Sequence, residues 1–271
     1  MVDYSRYKNI KVERQGRILR LTINRPHALN AVDEALHTEL ACIFYDVALD
    51  READIVILSG EGRAFCAGGD ITWMQDAIDK PEMFEVTGIE GKRIVYSLLD
   101  LEKPVICRLN GDAIGLGATI ALFCDVIIAG ESARIGDPHV RVGLVAGDGG
   151  AVIWPQLIGY ARAKEYLMTG DLILAAEAAR IGLINHAVPD AELDARVDAF
   201  AEKLLRGAGK AIRWSKMSVN IGLKQLAHSI MDASIGWETV ANLTTDHAEG
   251  VASFREKRRP VFGKTTYGTE S

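Results

Sequence analysis

Arg63-Ala64-Phe65-Cys66-Ala67-Gly68-Gly69-Asp70 and Asn110-Gly111-Asp112-Ala113-Ile114-Gly115-Leu116-Gly117 each follow an apolar strand-like run, and each leads into a helix-like one. A strand that turns into a helix through small residues leaves unpaired backbone N–H groups pointing out of the turn, where the helix dipole also favours negative charge. Two such turns brought together would hold a developing oxyanion between two donors. Proton chemistry has its own candidates in His139 and, nine residues on, Asp148 in Val145-Ala146-Gly147-Asp148-Gly149-Gly150. If the glycine-rich loop folds back, the carboxylate accepts from one imidazole nitrogen, fixes the tautomer and raises the basicity of the other. The plain alternatives are that Asp148 caps a helix and that His139 is a core histidine bonded to backbone.

The elements that must position these residues follow from periodicity. Asn9 to Val12 and Arg17 to Ile23 alternate as two strands around a Gln15-Gly16 turn. Leu36, Leu40, Ile43, Phe44 and Val47 recur at helical spacing, so a helix is predicted over Asp33 to Leu49 with Asp33 as its cap. Ile55 to Leu58 and Pro104 to Leu109 are short buried strands, each feeding one glycine turn, and Pro81 opens a helix toward Leu101. Repeated strand, turn and helix units imply an α/β core with its turns gathered at one rim. After Ile184 to Val188 the pattern turns helical, over Asp190 to Leu205, Lys210 to Lys224 and Gln225 to His247, and Pro260 ends the last element. The division expected is an α/β core over 1–189 with the site, and a helical region over 190–271.

Among 271 residues, 48% are hydrophobic and 25% charged, enough for one large core. A formal charge of −6 argues against nucleic acid as a partner. Lys257, Arg258, Arg259 and Lys264 form a local basic cluster, either a solvated helix end or a contact for phosphates. Cys42, Cys66, Cys107 and Cys124 show no paired spacing, Met1 to Gln15 lacks an apolar segment, and Thr119 to Cys124 is far too short to span a membrane. These features predict a cytoplasmic protein with reduced thiols. The six histidines are dispersed without a ligand pair, so no metal is expected. Gly115-Leu116-Gly117 tempts a dinucleotide reading, which fails because position 120 is Ile.

Four landmarks, Asn24-Arg25-Pro26-His27-Ala28-Leu29-Asn30-Ala31, the two glycine turns, Cys124-Asp125-Val126-Ile127-Ile128-Ala129, and Phe254-Arg255-Glu256-Lys257-Arg258-Arg259-Pro260-Val261-Phe262, stand in an order that resembles the crotonase superfamily, the enoyl-CoA hydratase/isomerase family. The resemblance runs over nearly the whole chain. It implies a spiral of strand-turn-helix units, with C-terminal helices that embrace a neighbour to make trimers, often paired as hexamers. It also implies an acyl-CoA substrate with no separate cofactor and oxyanion donors at the amides of Gly69 and Leu116. Arg25, with the backbone of Cys66 and Ala67, would contact coenzyme A, although Arg25 is equally read as a surface residue and Cys66 as a packing residue. Trp73, Met74 and Phe84 are candidates for the acyl pocket or for ordinary core.

At the acid/base positions the chain departs from the pattern. Where the family's hydratases carry two glutamates, it has Thr119 and His139. A threonine is no general base near neutral pH. The reading is therefore an enzyme that polarises a thioester carbonyl with Gly69 and Leu116 and moves protons with His139 supported by Asp148. Its rivals are a CoA-independent β-diketone hydrolase, since such enzymes of this fold have a His and an Asp nine residues apart, and a CoA-ester-binding homologue that has lost catalysis.

Overall fold

The computed structural model describes residues 2–263; Lys264 of the basic cluster lies outside them. Two parallel-dominated sheets are threaded by one repeating path. The larger, in the order β1-β2-β3-β5-β7-β10, comprises β1 (Ile10–Gln15), β2 (Ile18–Ile23), β3 (Ile55–Gly60), β5 (Val105–Leu109), β7 (Val126–Gly130) and β10 (His186–Val188). The smaller, in the order β4-β6-β8-β9, comprises β4 (Ala64–Cys66), β6 (Asp112–Ile114), β8 (Arg134–Gly136) and β9 (Ile173–Leu174). Each long strand β3, β5 and β7 is followed at once by a short strand of the other sheet, β4, β6 or β8, and then by helical chain. This is the strand-turn-helix spiral expected of the sequence, with a second short strand in each unit.

The helices are α1 (Glu34–Leu49), α2 (Ile71–Asp79), α3 (Met83–Asp100), α4 (Leu116–Leu122), α5 (Gly150–Thr169), α6 (Ala175–Arg180), α7 (Leu193–Leu205), α8 (Gly209–Asn242) and α9 (Thr245–Arg255). Asp33 caps α1 by accepting from the Leu36 N–H, and Asp70 caps α2 from Thr72. The inner strands of the large sheet are buried on both faces, which is why β3 reads as an unbroken apolar run. One face carries Leu19, Leu21, Val56 and Leu58 against α1 and α3; the other carries Ile18, Ile55, Ile57, Ile106 and Ile128 against Leu193, Val197 and Ala201 of α7. Two asparagines lock the turn between the sheets. Buried Asn30 donates to the carbonyls of Glu61 and Ala64, and Asn110 donates to Gly62 and accepts from the Gly60 N–H.

The two helices predicted over Lys210 to Lys224 and Gln225 to His247 are one 34-residue helix, α8. No proline or left-handed glycine interrupts it; a Cβ at its mid-point Gly222 would touch nothing. The chain turns at Leu243, and Thr244 caps α9 by accepting from the His247 N–H. Leu226, Ile230 and Ile235 pack against this chain's own core, whereas Trp237, Val240 and Leu243 are exposed.

Candidate active site

Strands β4, β6 and β8 are mutually parallel, so their C-terminal ends lie along one edge of the small sheet. The segments leaving that edge are the first glycine turn, the second glycine turn and the stretch Gly136-Asp137-Pro138-His139. Gly115, at φ 54°, allows the closest approach: a Cβ there would lie 3.4 Å from His139 Cε1 and 3.9 Å from Gly68 Cα. Glycine at 117 is needed for a similar reason, since its Cβ would stand 2.7 Å from the Cys66 carbonyl oxygen. Leu116 opens α4, where an amide has no carbonyl partner within the helix. Among the described residues, neither the Leu116 amide nor the Gly69 amide makes a hydrogen bond.

His139 is buried beside these turns, and Asp137 joins the Asp148 expected beside it. Asp137, not Asp148, holds Nδ1 in a short hydrogen bond, which leaves Nε2 turned toward Asp148 Oδ2 at 3.7 Å. Asp148 is itself held by Thr119, whose Oγ1 donates to Oδ1 at 3.1 Å, so the threonine in a hydratase-glutamate position serves to orient the carboxylate. Asp148 does not cap α5; Gly149 occupies the cap position. Burial alone would depress the His139 imidazole, but Asp137 and Asp148 outweigh it and raise its pKa well above 6.5. Burial raises Asp148 above 3.8, with His139 opposing.

Glu238 of α8 faces the same group of residues. Burial, with the charge of Asp148 added, pushes its carboxyl up to about 8, so it is a neutral acid at pH 7. Asp137, His139 and Asp148 offer ligand-type atoms within 4.8 Å of one another; Nδ1 is held by Asp137 Oδ1, while Asp137 Oδ2 is buried without a hydrogen-bond partner. Asp137 was legible two residues before His139, across a proline that fixes the backbone. Glu238, some ninety residues away on a helix, left no local signal.

On one side of this centre lies a largely apolar chamber. Its lining includes Gly69, Leu116, His139, Asp148 and Glu238, and also Trp73, Met74 and Phe84, the three residues expected at an acyl pocket. On the other side a groove runs past Ala67, Gly68, Gly69, Pro138, His139 and Phe254. Gly69, Met74 and His139 line both spaces, so the centre lies between an apolar chamber and a surface groove.

A model of the enoyl-CoA hydratase/isomerase family matches residues 13–265. The chain belongs to the enoyl-CoA hydratase/isomerase family. A crotonyl-CoA hydratase of Syntrophomonas wolfei is 35% identical, over 94% of this chain and 98% of that one. The structure of an enoyl-CoA hydratase/isomerase from Mycobacterium paratuberculosis superposes with a TM-score of 0.89 at 34% identity, covering 92% of this chain and 100% of that one. A β-diketone hydrolase from the cyanobacterium Anabaena, bound to (S)-3-oxocyclohexyl acetic acid, superposes with a TM-score of 0.82 at 28% identity, covering 88% and 96%.

Against the contacts with coenzyme A that the family resemblance implies, the geometry is uneven. Ala67 lines the groove. Cys66 is fully buried, and burial pushes its thiol up to about 12, as suits a packing residue. Arg25 does not reach the groove: it pairs with Asp33 at 2.8 Å and Asp70 at 3.5 Å and donates to the Ala31 carbonyl. Its cation ties the caps of α1 and α2 together.

Proposed function

We propose that the protein catalyses proton transfer on an acyl-CoA thioester through an enolate, as a hydratase or isomerase. The observation that carries this is the placing of two unbonded amides, Gly69 and Leu116, on a sheet edge shared with His139. In the proposed reaction the thioester oxygen accepts from both amides, which stabilise the negative charge as it develops. The ionised Asp148 takes a proton, from carbon for isomerisation or from water for hydration. His139, an imidazolium oriented by Asp137, returns one to the other carbon, so the proton count balances. Glu238, neutral beside them, keeps the cluster from accumulating a third negative charge. The groove past Ala67 takes the pantetheine arm, and the chamber takes the acyl group.

Mass spectrometry after incubation with enoyl-CoA esters of different length in deuterated water tests this reading. Hydration adds the mass of water, isomerisation incorporates deuterium without it, and no change in any ester counts against the proposal.

A second reading, a CoA-independent β-diketone hydrolase, is favoured by the neutralised Arg25 and by the His and Asp in place of two glutamates. A panel of cyclic 1,3-diketones in the same assay gives cleavage products if it is correct. Binding of CoA esters without any product would instead mark a homologue that has lost turnover. Assembly through the C-terminal helices rests on exposed Trp237, Val240 and Leu243; light scattering is expected to give a trimer or hexamer, and a stable monomer at micromolar concentration would refute it.

A further inference from the structure

The chamber carries a second titratable pair that the proposed reaction does not use. His37 of α1 and Glu90 of α3 are both buried, at 3% and 8% exposure, and His37 Nδ1 lies 2.7 Å from Glu90 Oε2. The Trp73 ring stands against the imidazole, centroids 5.2 Å apart, and His37 lines the chamber. Glu90 stays ionised: burial alone would raise it, but His37 and Thr38 hold its carboxyl below 4.5. With the carboxylate accepting from Nδ1–H, Nε2 is the ring nitrogen left without that partner. Among the described residues Nε2 makes no hydrogen bond.

A His–Glu pair is a poor way to join two helices, because apolar side chains of similar volume usually do so at least as well. Its position in the chamber wall gives it another use. Beside it α3 presents Phe84, Thr87, Gly88 and Gly91 to the chamber, at helical spacing. A Cβ at Gly91 would meet nothing within 4 Å, so space is left open next to Glu90.

We infer that His37, fixed by Glu90 and Trp73, is a specificity residue that accepts a hydrogen bond from a hydroxyl on the bound substrate, away from the reacting carbonyl. The preferred substrates are then hydroxylated acyl groups, not plain alkyl chains. A plain chain would bury the Nε2 acceptor without a donor, at the cost that unmade buried hydrogen bonds carry. A site built to bond a hydroxyl discriminates strongly against the analogue lacking it. This inference rests on the chamber being the acyl site of the proposed reaction, although not on which reaction follows.

Calorimetry with unreactive saturated ligands tests it: hexanoyl groups bare, hydroxylated at carbon 4, 5 or 6, or carrying a ketone at the same carbon, each as CoA thioester and as free acid. At least one hydroxylated ligand should bind about tenfold more tightly than its bare parent, and the matching ketone should gain little. In His37→Phe the preference should fall below twofold, while His37→Gln, which keeps an acceptor, should retain part of it. Thermal unfolding checks that His37→Phe folds; if it does not, His37→Gln and Glu90→Gln decide, each expected to weaken the preference. No hydroxyl preference in the wild type, or one that survives these substitutions, overturns the inference. A preference seen with free acids alone would sink the thioester reading and leave this one standing. Absence of binding in either form overturns both.

Discussion

The two sheets divide the labour of the molecule unequally. The large sheet has strands of up to six residues, the inner ones buried on both faces, and holds most of the apolar core. The small sheet has strands of two or three residues and almost no core of its own, yet the two glycine turns and His139 all leave its edge. Strands that short have no independent stability. Their registry is borrowed from the long strands that precede them and from the Asn30 and Asn110 clamps. Stability and chemistry are thus carried by neighbouring stretches of the same chain, and substitutions in the two sheets should be separable.

The largest effects should come from the proton network at the small-sheet edge. His139→Ala and Asp148→Asn are each expected to lower turnover by about 10²- to 10⁴-fold with melting temperature nearly unchanged, and the double variant should be little worse than the worse single. Asp137→Asn should act as strongly, since it removes the group that orients the ring. Additive losses in steady-state kinetics would mean that these residues do not work as a unit. Gly117→Ala should follow, at about 10- to 10³-fold, because its Cβ would push the Cys66 carbonyl and move one oxyanion turn from the other. Leu21→Ala in the large sheet supplies the contrast. Denaturant unfolding should show a loss of about 2 to 5 kcal/mol, with turnover per folded molecule kept. A Leu21 variant that loses turnover without losing stability would break the comparison.

The pH dependence sharpens the same division. In the proposed reaction an ionised Asp148 and a protonated His139 are required, so turnover should fall in acid as Asp148, raised above 3.8, takes a proton, and fall in base as His139, raised above 6.5, loses one. Stability should follow another residue. Because Glu238 is raised from 4.5 to about 8, the folded state binds more protons than the unfolded one across that window, and its contribution is lost as pH rises through it. Glu238→Gln should flatten the fall in melting temperature between these limits; an unchanged slope would show that Glu238 is not held neutral. The smallest effect is expected at Gly91. Gly91→Ala adds a good helix former where nothing is crowded, and should raise stability by about 1 kcal/mol while slightly disfavouring the bulkiest substrates.

Long, periodic elements were legible in the sequence for the reason that makes them stable: burial on both faces of β3 and along one face of α1 writes a repeating pattern. The small sheet was not, because Ala64–Cys66 or Arg134–Gly136 is too short to show a period. The oxyanion turns announced themselves through glycine, and His139 through its place after Pro138. Two carboxylates flank His139, and only packing decides that Asp137 takes Nδ1 while Asp148 lies beside Nε2. Glu238 and the His37–Glu90 pair reach the chamber from helices, where a lone polar residue in an amphipathic pattern carries no mark of the cavity it faces. Arg25 was read for its charge, yet two aspartates that cap the nearby helices have claimed that charge.

The spacing of the short strands has a consequence for how the protein acquires activity. Gly115 can meet both Gly68 and His139 only after segments 48 and 22 residues apart in sequence, paired as Ala64 with Asp112 and Asp112 beside Arg134, have come into register. Such contacts are slow to form, because the loops between them must close before any pairing rewards them. The long strands β2 and β3, paired as Ile18 with Ile55 across 37 residues, close a comparable loop but are repaid by far more buried apolar surface. A refolding chain should therefore bury its core while it is still inert, and recovery of turnover should lag behind recovery of compactness. In that sense the small-sheet edge is a late checkpoint: a molecule able to hold an oxyanion there has completed the rest of its assembly.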